Sequence, residues 1–234
     1  MPGYQVKHEQ VAVQGEADLQ IRSLLDRQQF ADAAGVAAAF GISSAQWPLF
    51  GLLWPSGSQL ARHMAGRALV QGERILEIGC GLALASLVCH RRGADVTASD
   101  CHPLTDSFLR ENLRLNALPP LPYRHGQWGV LSATQTDAAL LLAPVAGRFD
   151  LIIGSDVLYE RDEAGTLALY LGLHLQPRAE VLIVDPDRGN RPAFSRHMAL
   201  LGFALDSHVL SGLTPSGEAY KGRLLQYRRA AAAT

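Results

Sequence analysis

From residue 74 onward, the chain alternates between short apolar runs and longer segments whose apolar residues recur at helical spacing. This alternation is typical of βαβ units, which build a parallel sheet covered by helices. The short runs predict seven strands, over residues 74–78, 95–99, 122–127, 150–154, 181–184, 205–210 and 224–227. The longer segments predict helices over residues 82–92, 105–116, 164–175 and 192–201.

The last two predicted strands are separated only by residues 211–222, which contain Gly, Pro and Ser. Such a stretch suits a hairpin better than a crossover, so the final strand is predicted to be antiparallel. The predicted fold class is therefore α/β, with a Rossmann-like, doubly wound seven-strand sheet that is mostly parallel and has an antiparallel last strand.

The first part of the chain predicts a small N-terminal appendage over residues 1–44. Residues 5–14 alternate between apolar and polar positions, and residues 31–40 are rich in alanine, so we expect a hairpin followed by a helix. The main domain is predicted over residues 45–230 and a tail over 231–234. A further helix is expected over residues 56–66, with Ser56 as its N-cap. From its position, the appendage is where we expect substrate selectivity to reside.

Composition narrows the class of protein. The 234 residues are 48% hydrophobic and 18% charged, which suits one sizeable core. A formal charge of -1 gives no general attraction to DNA or to anionic lipid. No apolar run approaches the roughly 20 residues of a membrane span, and the N-terminus lacks the pattern of a secretory signal. We therefore expect a cytoplasmic protein with neither DNA nor a membrane as partner, and a monomer or weak homodimer.

Cysteine and histidine positions predict no metal site. Cys80, Cys89 and Cys101 lack CxxC spacing and are odd in number, so buried reduced thiols are expected. The eight histidines show no ligand spacing, and the expected places of His90, His102 and His174 are the surface or helix ends.

The sharpest chemical signal is the run RILEIGCGLALA at residues 74–85, a strand that leads through two glycines into a helix. Gly79 and Gly81 allow a tight turn that a ligand can approach closely, beside the unpaired N–H groups of the helix start. The next strand ends in Asp100, where a doubly wound sheet places an acceptor for ribose hydroxyls. Glycine turns also bind NAD or FAD through pyrophosphate, but the third glycine used there is Ala83 in this chain. S-adenosyl-L-methionine (SAM) has no pyrophosphate, and Glu77 could fix the turn and the methionine end of SAM.

These residues resemble the class I, seven-strand SAM-dependent methyltransferases. The first motif of that family places an acid before Gly-x-Gly, as Glu77, Gly79 and Gly81 do, and its second motif ends a strand in an acid, as Asp100 does. The resemblance implies SAM as the cofactor. The family commonly has a further glycine at the place of Ala83, where a small side chain should be tolerated.

A second motif follows the fourth predicted strand, at the sheet edge where open α/β sheets bind ligands. Residues 156–159, Asp-Val-Leu-Tyr, resemble the Asp-x-x-Tyr/Phe motif of the protein-lysine methyltransferase branch. The resemblance covers most of residues 47–203 and includes Trp54 and Trp128, which in that branch lie near the cofactor and substrate pocket. The strand is not followed by Asn-Pro-Pro-Tyr, so adenine N6 and glutamine amides are not expected substrates.

The predicted catalytic residues are Asp156, which would orient the incoming amine or the ammonium of the cofactor, and Tyr159, which would wall the acceptor channel. The predicted cofactor contacts are Trp54, Glu77, Gly79, Cys80, Gly81, Asp100, Cys101, Trp128 and Ser155. Core packing remains an alternative for the two tryptophans, and an N-cap of a following helix remains one for Asp156. The polar loop 184–192 either shapes the substrate entrance or is a surface loop with Arg188 and Arg191 solvated.

The leading hypothesis is therefore a methyltransferase that acts on a nucleophilic nitrogen, that of a protein lysine. A lysine must be neutral to attack, although its ordinary pKa is about 10.4, so a less polar pocket is required. The alternatives are a small-molecule N- or O-methyltransferase, a nicotinamide- or flavin-dependent oxidoreductase, and a binding module without activity.

Overall fold

The computed structural model describes residues 3–129, 143–212, 214 and 217–229. The strands are β1 (Val6–Val11), β2 (Leu19–Leu24), β3 (Arg74–Ile78), β4 (Asp95–Asp100), β5 (Tyr123–His125), β6 (Phe149–Ser155), β7 (Leu175–Asp185), β8 (Phe203–Leu210) and β9 (Gly222–Arg229). The α-helices are α1 (Val36–Ala39), α2 (Pro55–Gly66), α3 (Leu84–Arg91), α4 (Thr105–Leu115), α5 (Thr166–His174) and α6 (Arg191–Leu200). A 3-10 helix at Trp47–Gly51 precedes α2.

Seven strands form one sheet in the order β5-β4-β3-β6-β7-β9-β8. All neighbouring pairs from β5 to β7 are parallel, and β9 is antiparallel to both β7 and β8. The predicted fold class and the antiparallel last strand are confirmed. The main difference is β7, which begins at Leu175 directly after α5 and is therefore longer than predicted.

Alternate residues of each strand are buried on opposite faces of the sheet, because successive side chains point to opposite faces. Ile75, Leu151 and Ile153 pack in one core with α2, α3 and α4. Leu76 and Ile152 pack on the opposite face with α5 and α6. The parallel strands thus read as continuous apolar runs, and all of their carboxyl ends meet at one edge.

The N-terminal residues form the predicted hairpin, and it shares the core of the sheet domain. Its buried Leu19, Ile21 and Leu24 belong to the same apolar cluster as α4. The Arg22 N–H donates to Asn112 Oδ1 at 2.8 Å, and the Gln20 N–H donates to Asn116 Oδ1 at 2.9 Å, which fixes the hairpin against α4.

The predicted helix over residues 31–40 is reduced to the single turn α1, which Asp32 caps through the N–H groups of Ala37 and Ala38. The predicted boundary between residues 44 and 45 remains a prediction, and the predicted tail lies outside the described residues. Across the residues that the structure covers, no helix is both long and apolar enough to cross a membrane.

The start of α2 corrects one expectation. Ser56 was expected to be the N-cap, but the helix begins at Pro55 and Trp54 occupies the cap position without a side-chain cap bond. Proline suits the first helical position because it has no N–H to leave unpaired and its φ is already helical. The hydroxyl of Ser56 instead forms a 2.9 Å hydrogen bond with the hydroxyl of Tyr220.

Candidate active site

A cavity of about 440 Å³ lies at the carboxyl edge of β3, β4 and β6. Every residue that the sequence predicts for the site lines it: Trp54, Glu77, Gly79, Cys80, Gly81, Asp100, Cys101, Trp128, Ser155, Asp156 and Tyr159. The fold therefore brings the glycine turn and the motif after β6 to one place, as expected for neighbouring parallel strands.

The glycine turn after β3 requires both of its glycines. Gly79 and Gly81 have φ of 54° and 50°, in the left-handed region. A Cβ atom at position 81 would lie 2.9 Å from the carbonyl oxygen of Phe50, and one at position 79 would lie 3.0 Å from Val157 Cγ1. Ala83 also has a positive φ, 57°, which suits glycine, and its full burial favours a small side chain.

Asp100 ties the end of β4 to the glycine turn. Its Oδ2 accepts a 2.9 Å bond from the Gly81 N–H and its Oδ1 accepts a 2.8 Å bond from the His102 N–H. Burial raises the pKa of this carboxyl, and the backbone donors oppose that rise. Each carboxylate oxygen has a second lone pair, so Asp100 keeps capacity for a further donor at the cavity wall.

Glu77 holds the start of α3 against β3. The carboxyl is buried, and Oε2 accepts a 2.7 Å bond from the Ser86 N–H and a 2.5 Å bond from its hydroxyl. Burial raises the pKa of Glu77 to about 7, while the bonds from Ser86 work in the opposite direction. Its carboxylate thus anchors the helix that follows the turn, and one side of the residue still lines the cavity.

Trp54 and Trp128 are partly exposed cavity residues, whereas Trp47 is the fully buried tryptophan. The Trp54 Nε1–H donates to the carbonyl of Leu49 at 2.8 Å, which fixes its ring. The Trp128 ring lies 5.9 Å from that of Tyr170 and close to the turn at Gly79.

Asp156 follows β6 in a left-handed conformation, with φ of 56°. Its Oδ2 accepts a 2.8 Å charge-assisted bond from Arg188 Nη2, and its buried Oδ1 has no partner among the described residues. Burial raises the pKa of Asp156 to about 6, Arg188 lowers it, and Asp185 raises it. The N-cap alternative is wrong, because the next helix starts at Thr166.

That helix, α5, is capped by another acid. Asp162 accepts bonds from the N–H groups of Thr166 and Leu167 at 2.8 and 2.9 Å. Asp156 is therefore free of a capping role and faces the cavity. Tyr159 lies at the cavity wall and is 46% exposed, which places its ring between the cavity and solvent.

Sequence reasoning missed two features of the site. The ion pair of Arg188 with Asp156 was not predicted: Arg188 lines the cavity while its side chain stays 46% exposed, so it belongs to a loop that borders the site. His102 is buried, which corrects the expectation of a surface place: its ring stacks on Phe50 with centroids 3.7 Å apart, and burial lowers its pKa to about 3. The position of Arg188 after a strand at the ligand-binding edge was the signal for the first, whereas the sequence held none for the second.

The cysteines are free thiols, with Cys80 and Cys89 buried and Cys101 partly so. Burial raises the pKa of all three. Over residues 3–129, 143–212, 214 and 217–229, no group of His, Cys, Asp or Glu side chains is arranged to hold a metal ion.

Residues 49–198 match a family model described as lysine methyltransferase. The chain is 31% identical over 153 residues to the electron transfer flavoprotein beta subunit lysine methyltransferase of Mus musculus, covering 64% of this chain and 54% of the relative. It is 29% identical over 134 residues to the histone-arginine methyltransferase METTL23 of Homo sapiens, covering 55% of this chain and 66% of the relative. The chain thus spans about half the length of the first of these curated relatives.

Solved structures share the fold. A ribosomal protein L11 methylase from Lactobacillus delbrueckii subsp. bulgaricus superposes with a TM-score of 0.52 at 23% identity, over 74% of this chain and 79% of the other. The magnesium protoporphyrin IX methyltransferase from Synechocystis PCC 6803, solved with bound SAM, gives 0.52 at 20% identity, over 74% and 78%. At these identities the likeness establishes the Rossmann-like sheet and nothing finer.

Proposed function

Since the chain belongs to the lysine methyltransferase family, we propose that it transfers a methyl group from SAM to a nucleophilic nitrogen, that of a protein lysine side chain. One observation supports this most directly. A single cavity joins the glycine turn after β3 to the acid Asp156 after β6. The first feature suits a nucleoside and the second suits a cationic group.

The residues around the turn fit SAM. Gly79 and Gly81 allow the left-handed turn that lines the cavity, and Asp100 has unused acceptor capacity for ribose hydroxyls. The rings of Trp54 and Trp128 would wall the site, and the remaining proposed contacts are Glu77, Cys80, Cys101 and Ser155. When bound, SAM supplies a methyl group already activated by its sulfonium.

The task left to the protein is to align the acceptor and to remove water from between the reacting groups. The carboxylate of Asp156 would accept an N–H of the incoming nitrogen and so orient it. A partly dehydrated cavity lowers the pKa of a lysine ammonium, whereas the Asp156 carboxylate raises it, and the ammonium must lose its proton to solvent before attack. Asp156, with a pKa of about 6, is ionised at neutral pH and would then stabilise the methylated ammonium product.

The mouth of the cavity favours a side chain that enters from outside. Tyr159 is partly exposed there, so a long, narrow group such as a lysine side chain could pass along its ring. One of the relatives is named as a histone-arginine methyltransferase, so an arginine guanidinium is a second candidate acceptor. A small-molecule amine remains the alternative from another class. The cytoplasmic location and the monomeric or weakly dimeric state stay proposals.

The test is to incubate the purified chain with methyl-labelled SAM and three acceptors: a cell lysate, an electron transfer flavoprotein beta subunit, and a histone. Asp156→Asn is the diagnostic variant, because asparagine tolerates the left-handed backbone of this position while removing the charge. Glu163→Gln, which removes an exposed carboxylate beyond the cavity, is the matched control.

Label on a lysine, retained in the control and reduced at least tenfold in Asp156→Asn, would support the proposal. Label on arginine would move the acceptor to the second candidate, and label only in small molecules would favour the alternative class. Equal turnover by Asp156→Asn and the unaltered protein would contradict the role of Asp156.

A further inference from the structure

Asp156, the acid that we propose as the partner of the acceptor, already forms an ion pair with Arg188. Arg188 Nη2 lies 2.8 Å from Asp156 Oδ2, and both residues line the cavity. The Asp156 side chain is 12% exposed, whereas that of Arg188 is 46% exposed. The guanidinium therefore has solvent beside it, whereas the largely buried carboxylate would be left without its charge-assisted bond unless another cation took the place of Arg188.

A second carboxylate lies beside the first. Residues 155 and 184 are paired in the parallel strands β6 and β7, and the Asp156 N–H donates to the carbonyl of Val184 at 2.8 Å. Asp185, the last residue of β7, therefore lies next to the point where Asp156 follows β6. Its side chain is 1% exposed, and its buried Oδ2 has no hydrogen-bond partner among the described residues.

Asp185 forms no ion pair among the described residues. Asp187, the other acid of this loop, already pairs with Arg191 at 3.4 Å and with Arg223 at 3.3 Å. Burial raises the pKa of Asp185, and the charges of Arg191 and Arg188 oppose that rise. Arg188 is thus bonded to the carboxylate that faces the cavity, and the second carboxylate lies at the end of the neighbouring strand.

We propose that Arg188 is a specificity-determining gate, whose guanidinium holds Asp156 until a cationic acceptor side chain displaces it toward Asp185. This inference rests on the proposed function, because it takes the acceptor to be an ammonium or guanidinium when it enters. A neutral group cannot replace the charge that Arg188 withdraws, so the exchange selects cations. Asp185 is a positioning residue: it receives Arg188 and does not contact the acceptor.

The test uses n-butylammonium, which has the shape and charge of a lysine side chain, titrated into the full chain with and without S-adenosylhomocysteine. Nuclear magnetic resonance would report the dissociation constant and the Nε–H signal of Arg188. The variants are Arg188→Gln, Arg188→Lys and Asp185→Asn. Arg161→Gln is the matched control, since it removes the same charge from an exposed residue at the cavity rim.

Arg188→Gln should bind n-butylammonium about tenfold more tightly, whereas Arg188→Lys and Arg161→Gln should stay within about twofold of the unaltered protein. In the unaltered protein the Nε–H signal of Arg188 should shift to a second ordered position on titration. In Asp185→Asn it should broaden and binding should weaken about threefold.

The gate is overturned if Arg188→Gln binds no more tightly than the control, if neither protein binds n-butylammonium, or if the Arg188 signal does not move as the site fills. If the unaltered protein binds n-butylammonium as expected but does not bind S-adenosylhomocysteine, the proposed function is refuted and the gate is not. The two failures are therefore distinguishable.

Discussion

Replacing Glu77 by Gln should remove part of the pH dependence of the unfolding free energy. The pKa of this buried acid is raised from 4.5 to about 7, chiefly by burial. One pKa unit is about 1.4 kcal/mol, so the displacement corresponds to roughly 3 kcal/mol of unfolding free energy. Glutamine keeps an oxygen acceptor for Ser86 but carries no titrating proton.

The sign follows from the two states of the chain. The unfolded chain releases the Glu77 proton near pH 4.5, whereas the folded protein keeps it to about pH 7. The stability that this proton gives is therefore full below pH 4.5, falls between pH 4.5 and 7, and is lost above pH 7. The unfolding free energy of Glu77→Gln minus that of the unaltered protein should therefore rise by roughly 3 kcal/mol from pH 4.5 to pH 8. Any effect of the substitution that does not depend on pH is the same at both ends of this range.

The assay is urea unfolding of both proteins at several pH values and one ionic strength. Taking the difference between the proteins at each pH cancels the titrating groups that do not interact with Glu77. For a chain of this length the gain corresponds to about 6–12 °C in Tm. Glu163→Gln, at an exposed position, should show no such change. Parallel curves for Glu77→Gln and the unaltered protein across pH 5–8 would refute the reasoning that burial sets this pKa.

Three further substitutions test the site and its support. Gly81→Ala should weaken S-adenosylhomocysteine binding at least tenfold by calorimetry and cost about 1–2 kcal/mol of stability, because its Cβ would meet the Phe50 carbonyl at a left-handed position and distort the turn; unchanged affinity would show that binding does not need this conformation of the turn. Trp128→Leu should weaken the same binding about threefold to tenfold while Tm moves little, since the ring is partly exposed at the cavity; a large fall in Tm with unchanged affinity would assign it to core packing. Asn112→Ala should cost about 1–3 kcal/mol in urea unfolding because the Arg22 N–H loses its acceptor, and a loss below 0.5 kcal/mol would show that this bond does little to hold the hairpin on α4.

The sequence predicted those parts of the molecule that local pattern determines. The strand, two glycines and helix at residues 74–85 could be predicted from local sequence alone. The short apolar runs identified the parallel strands. Asp156 could be placed at the cavity because the carboxyl ends of parallel strands share an edge. The resemblance to the methyltransferase family is confirmed by the family model.

Long-range contacts decided the rest. The Ser56 hydroxyl bonds to Tyr220, a residue 164 positions away, so its local pattern suggested a cap that the fold does not use. His102 is buried because Phe50 stacks on it, and no spacing encodes that meeting. The role of Arg188 depends on which loop conformation brings it to Asp156, and a polar loop is compatible with several.

The packing of the hairpin against α4 also has a consequence for folding during synthesis. Arg22 and Gln20 find their partners Asn112 and Asn116 90 and 96 residues later. At a synthesis rate of about 5–20 residues per second, the strands wait roughly 5–20 s before that helix has been made. During this interval the apolar face of β2 lacks α4, although the 3-10 helix at Trp47–Gly51 that also contacts it is made earlier. A two-stranded hairpin is at best marginally stable alone. Nascent chains stalled between β2 and α4 are therefore the stage at which this protein should depend most on chaperones.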